Sequence, residues 1–195
     1  YLQSQLSQEL GDLAIGEQRW SFVLEPTGKV DALVRVARTA EETFQLEVDP
    51  GFGDTVLERI DRFKIRVKAT TSLVPAPDDW DSELQCARIR SGWPAMGSEI
   101  EPGETIPGQL GLAAVAVSFT KGCYPGQELV ERMDSRGATA PTTLRRLGVD
   151  AGTVAGDPIT DADGREVGRV TSVCGTTALG FVRRDVELGD AVTHR

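Results

Sequence analysis

Residues 121–128 read Lys-Gly-Cys-Tyr-Pro-Gly-Gln-Glu, and no regular core element accommodates that run. Burying an ammonium, a thiol, an amide and a carboxylate side by side without partners costs roughly 2 kcal/mol or more for each polar group. Pro125, followed by Gly126, also interrupts both a helix and a central strand. The run is therefore expected to be a tight polar loop. The apolar stretch 113–119 before it reads as a strand, and Leu129-Val130-Glu131-Arg132-Met133 after it opens a helix. A loop held by rigid flanks is where binding and catalytic groups concentrate.

The rest of the chain supplies the frame. Residues 1–10 carry Leu2, Leu6 and Leu10 at helical spacing. Residues 19–25 and 30–36 read as two strands around a Pro26-Thr27-Gly28-Lys29 turn, and 43–48 as a third. Val56, Leu57 and Ile60 mark a helix. Residues 63–69 read as a fourth strand, with Phe63, Ile65 and Val67 on one face and Lys64, Arg66 and Lys68 on the other. This order predicts an α+β fold, a ferredoxin-like antiparallel sheet covered by helices. A linker is expected at 75–79, a helix at 80–91 closed by Gly92 in the left-handed conformation, and a long irregular loop at 97–111. Short strands at 144–149, 158–160, 166–173, 178–183 and 191–193, with an Asp161-Ala162-Asp163-Gly164 hairpin turn, predict a small C-terminal β-barrel. The expected domains are 1–140 and 141–195, the first shortened around 73–80.

Composition narrows the function. The 195 residues carry a net charge of −9. Phosphate backbones are bound through basic surface, so direct nucleic-acid binding is not expected, although Arg132, Arg136, Arg145 and Arg146 cluster in sequence. The longest apolar run, 112–117, is too short to span a bilayer. No secretory leader is visible, and the opening at Tyr1 inside a helical pattern suggests trimming. Cys86, Cys123 and Cys174 form no CxxC pair, so no metal or cluster site is expected. Their odd number argues against a disulfide framework and for a reducing cytoplasm. The single histidine, His194, stands next to the C-terminus, a poor place for a Cys–His pair. Lys121 and a following helix N-terminus would favour the thiolate of Cys123. The same cysteine is also a small apolar side chain suited to burial. Cys86 and Cys174 are expected to be structural.

The octapeptide, with Arg132 following it, resembles the signature of the YgfZ family, folate-binding relatives of the glycine cleavage T-protein. Tyr1-Leu2-Gln3-Ser4-Gln5-Leu6-Ser7, Pro26-Thr27-Gly28-Lys29-Val30, Arg88-Ile89-Arg90-Ser91-Gly92-Trp93-Pro94, Glu104-Thr105-Ile106-Pro107 and Gly164-Arg165-Glu166-Val167-Gly168-Arg169 resemble other family segments in order. The chain is shorter than typical members between Ser72 and Trp80, where a second ferredoxin-like half would sit. The resemblance implies tetrahydrofolate as cofactor and support of iron–sulfur enzymes, including tRNA-thiolating proteins, as indirect partners. It makes Cys123, with Lys121, the expected reactive site. A folate offers a flat pterin, for which Tyr1, Trp20, Trp93 and Tyr124 are candidate stacking faces. Its N–H groups want a carboxylate, Glu104 or Glu128, and its glutamate tail wants a cation, Arg88, Arg90 or Arg132. Gln127 completes the expected binding set. Each of these has a plainer role open to it: Trp93 as core, Arg88 as a solvated helix face, Gln127 and Glu128 as a helix start. Two further readings stand beside the first: a non-catalytic adaptor, and a folate-dependent aminomethyltransferase.

Overall fold

The computed structural model describes residues 1–74, 81–135 and 140–192. The linker expected at 75–79, Trp80, Arg136, His194 and part of the last expected strand lie outside them. The protein is mixed α/β with two antiparallel sheets. The first is the meander β1 (Gln18–Leu24), β2 (Val30–Ala40) and β3 (Thr43–Glu47). Val30, Ala32, Val34 and Val36 on β2 are fully buried, along with Phe22, Val23 and Leu24 on β1. Helix α1 (Gly53–Arg62) packs on β2 through Val56 and Ile60.

Three local expectations fail here, each because a tertiary partner outweighs local pattern. Residues 63–69 join no strand. Lys64 turns back to Asp61 and Thr71 at 2.8 and 2.7 Å, Arg66 adopts φ +60°, and the Arg59 guanidinium stacks 4.5 Å from the Phe63 ring centre. Ile65 is left 73% exposed, so the alternation of apolar and basic residues has no sheet to join. Residues 1–10 make only one 3-10 turn, Leu2–Ser4, before Leu6 bridges Val23 of β1. The carbonyls a helix would have used go elsewhere. Residues 113–119 contain a short helix α3 (Ala113–Ala116) in place of a strand. Three alanines favour that turn, and its carbonyls are taken by side chains from the N-terminal segment: Gln8 Nε2 donates to Val115 O at 3.0 Å and Ser7 Oγ to Ala116 O at 2.6 Å.

The helix expected at 80–91 is α2 (Ser82–Ser91). Asp81 caps it by accepting the Glu83 N–H at 2.8 Å, and Gly92 closes it at φ +80°, a conformation that costs glycine little. After α3 and the loop comes α4 (Gln127–Ser135). The second sheet holds β4 (Thr142–Gly148), β5 (Pro158–Thr160), β6 (Glu166–Cys174), β7 (Thr177–Arg183) and β8 (Asp190–Ala191), in the order β5-β6-β7-β4-β8. Asp161 fixes the β5–β6 turn by accepting the N–H groups of Asp163 and Arg165 at 3.0 and 2.9 Å.

Helix α2 joins the two sheets. Its Ile89 packs with Leu144, Leu179 and Val192 of the second sheet's side. Arg88 reaches from α2 to Glu99, 2.9 Å away, and to Ser172 on β6, also 2.9 Å. Glu99 is buried to 1% exposure and accepts four bonds, from Arg88, the Ala95 N–H, Thr171 and Ser172. A charge pair this deep holds only when its remaining lone pairs are bonded, and here they are.

Beside this network, Cys86 of α2 and Cys174 of β6 form a disulfide with Cα atoms 5.2 Å apart across 88 positions of sequence. This corrects the expectation of no disulfide. An odd cysteine count and wide spacing say nothing about which segments the fold brings together. Among the described residues no helix is long and apolar enough to cross a membrane.

Two outcomes follow from this junction. Thiol titration of the unreduced, unfolded protein should find one reactive cysteine, rising to three after reduction. Glu99→Ala, which leaves Arg88 buried without its carboxylate, should lower the unfolding free energy by about 3–5 kcal/mol in urea denaturation.

Candidate functional site

The loop 121–126 is built from the inside outward. Lys121 is buried, and its ammonium donates to three main-chain carbonyls of the N-terminal segment: Gln3 and Leu6 at 2.6 Å and Gln8 at 2.9 Å. Three donors meet three acceptors, and the charge also lies 5.3 Å from the Tyr124 ring centre. Burial pushes the Lys121 pKa down to about 8, against the pull of Glu9, so the group is still chiefly ammonium at neutral pH. Tyr124 is buried to 7% exposure, and burial pushes its phenol up to about 12, with the Glu131 carboxylate adding to the effect. Its hydroxyl has no hydrogen-bond partner among the described residues.

The loop also closes on the β1–β2 turn. Gly126 has φ +80°, and a Cβ there would lie 2.6 Å from Glu25 O and 2.8 Å from Gly28 Cα. A Cβ on Gly28 would lie 2.4 Å from Leu129 Cβ at the start of α4. Two turns therefore meet backbone to backbone, and only glycine permits the approach. The sequence reading named both turns without linking them. The signal available to it was a glycine in each.

Between these anchors Gly122 and Cys123 are exposed, and Cys123 is the free cysteine among the described residues. Lys121 and Cys123 therefore part company. The first is committed to carbonyls inside the fold, and the second is presented to solvent.

The expected folate-binding residues have partners of several kinds. Arg88 is held in the network with Glu99 and is not a solvated helix face. Glu104 is exposed and pairs with Lys29 at 3.0 Å. Trp93 packs against Trp20 with ring centres 4.6 Å apart and planes tilted by 49°, both rings half-buried. Gln127 donates to Glu131 at 2.5 Å along α4. Glu128 and Arg132 are exposed on the same helix, Glu128 in its first turn, where a negative charge is favoured. Neither of the two hollows that border Gly108 and Arg184 is lined by any of these residues. The chemistry available at the loop is that of an accessible thiol on a fixed backbone.

Lys121→Met removes one cation and leaves three buried carbonyls without a donor. The expected loss is about 2–4 kcal/mol of unfolding free energy by chemical denaturation, with little change in Cys123 alkylation rate while the protein stays folded.

Residues 141–194 match the family model of the CAF17 C-terminal beta-barrel domain. Over 68% of its length the chain is 30% identical to the tRNA-modifying protein YgfZ of Colwellia psychrerythraea. Over 54% it is 31% identical to the human mitochondrial iron-sulfur cluster assembly factor IBA57. An uncharacterized protein of Haemophilus influenzae is 27% identical over 71% of the chain. The chain spans 40%, 30% and 63% of those three proteins' own lengths, respectively. The crystal structure of glycine cleavage system aminomethyltransferase T from Bartonella henselae superposes with a TM-score of 0.77 at 17% identity, covering 93% of this chain and 72% of that one. That likeness establishes an aminomethyltransferase T-like fold. Together, the barrel match, the YgfZ and IBA57 relatives and the shared fold support assigning the chain to the YgfZ family.

Proposed function

We propose that this chain serves iron–sulfur cluster proteins and tRNA modification as a YgfZ-like accessory protein, with the Cys123 thiol as its working group. One observation carries the reading: the thiol is exposed on a loop whose neighbours Lys121, Tyr124 and Gly126 are all locked into the interior. Such a loop presents a nucleophile at a fixed place at no further ordering cost when a partner arrives. The names of the YgfZ and IBA57 relatives support the iron–sulfur and tRNA part. We take residues 1–140 as the T-protein-like domain and 141–195 as the barrel.

Tetrahydrofolate is the proposed cofactor, and this part rests on the family resemblance. The half-buried Trp20–Trp93 pair supplies an aromatic face for a pterin, and exposed Arg132 supplies a cation for a carboxylate tail. Arg88, Tyr124 and Glu104 are occupied in other contacts. That observation favours a second reading, an adaptor that presents the loop without holding folate. An aminomethyltransferase reading has the fold behind it and nothing further, since function resides in the site.

Cys123→Ser should fold with an unchanged melting temperature yet fail to restore iron–sulfur enzyme activity in cells lacking the endogenous protein. Full rescue by that variant would remove the thiol from the mechanism. Separately, 5-formyltetrahydrofolate should raise the melting temperature of the wild-type chain, by an amount that at a hundredfold excess over Kd corresponds to about 2.7 kcal/mol. Absence of any shift at millimolar ligand would decide for the adaptor.

A further inference from the structure

A cleft of about 330 Å³ opens where the loop after residue 106 meets the second sheet. Thr143 and Arg145 lie two positions apart on β4 and so share one face of the strand. Both line the cleft, and Arg184 stands across from them. The Thr143 hydroxyl and Arg145 Nε are shielded from solvent and lack hydrogen-bond partners among the described residues. Neither Arg145 nor Arg184 has a carboxylate partner among those residues. The other arginines near this edge differ: Arg146 pairs with Asp190 at 2.8 Å and Arg183 with Asp185 at 2.5 Å. Among the described residues no acidic side chain lines the cleft. In a chain of net charge −9, two unpaired guanidinium groups around an unsatisfied hydroxyl are a conspicuous exception. Buried polar groups without partners are costly, and each calls for an explanation.

A second hollow of about 160 Å³ adjoins the first across Gly108 and Arg184, which line both. Its walls are apolar: Phe119, Val130, Met133 and Ala113. Gly108 borders both hollows, and a Cβ there would lie 2.9 Å from Met133 Sδ, so a side chain at this position would crowd their shared wall. No residue of 121–128 lines either hollow.

We propose that this two-chambered cleft binds an organic anion with an apolar body, an aryl or alkyl carboxylate. The carboxylate lies between Arg145 and Arg184, whose terminal guanidinium N–H groups hold it through charge-assisted hydrogen bonds. The apolar body fills the chamber beside Phe119, Val130 and Met133. Small-molecule sites commonly combine an apolar lining with a few convergent polar groups in this way. The site is separate from the Cys123 loop and does not depend on the function proposed for it.

Isothermal titration of the full chain with biphenyl-4-carboxylate tests this. The carboxylate should bind, and Arg145→Gln and Arg184→Gln should each weaken binding about tenfold, equivalent to about 1.4 kcal/mol. Gly108→Leu, which adds bulk to the wall the two hollows share, should abolish it. Cys123→Ser should leave it unchanged, so a failure here and a failure of the thiol reading are told apart. Arg184 is exposed and its side chain has no partner among the described residues, so its variant keeps the fold and carries the test even where Arg145→Gln does not. Equal affinity for neutral biphenyl-4-methanol or for inorganic phosphate would overturn the proposal. So would an unchanged Kd in Arg184→Gln.

Discussion

Glu99 is a carboxylate with 1% of its surface exposed, and the arrangement of the two sheets depends on how its charge is met. Four donors converge on it from α2, from its own loop and from β6. Arg88 bonds Ser172 as well as Glu99, so neither the helix nor the second sheet can move without stranding a buried charge. Apolar contact would hold the same elements together with less regard for register. The charged network adds directionality, because each bond demands a partner at a set distance and angle. The Cys86–Cys174 bridge adds a covalent limit on the same junction.

The first sheet has its own polar pivot in Lys121. Its three carbonyl partners sit in the N-terminal segment, which in turn bonds α3 and β1 through Ser7 and Gln8. One side chain thus ties the loop, the chain's opening segment and, through them, β1 into a unit. The consequence is functional. The residue that sequence proximity pairs with Cys123 works below the surface, and the thiol stands above a backbone with little freedom to move. Gly126 and Gly28 complete the seat by letting two turns touch.

Much of the second sheet was legible from local signals, because turn chemistry and alternation are local: Asp161 through Gly164 forms the expected hairpin, and the strands fall where apolar residues alternate. Gly92 closing α2 is another such case. The errors share a cause. Leu2, Leu6 and Leu10 satisfy a helical period, but they equally suit an extended segment whose carbonyls are claimed by a lysine far along the chain. Residues 63–69 alternate like a strand, yet a strand exists only where a neighbour offers a ladder of hydrogen bonds. For Arg88 and Glu104, residue type states what a side chain can bind, and the fold supplies what it meets: Glu99 for the one and Lys29 for the other.

The sequence by itself determined that 121–128 is a polar loop leading into a helix, that the fold is α+β, and that the chain resembles the YgfZ family, because motif chemistry and turn residues act within a few positions. Only the tertiary structure decided that Lys121 faces inward while Cys123 faces solvent, that Cys86 meets Cys174, and that Arg88 is spent on Glu99. Lys121 meets Gln3 across 118 positions, Cys86 meets Cys174 across 88, and Arg88 bonds Ser172 across 84 as well as Glu99 across 11, and no local pattern specifies which group will arrive.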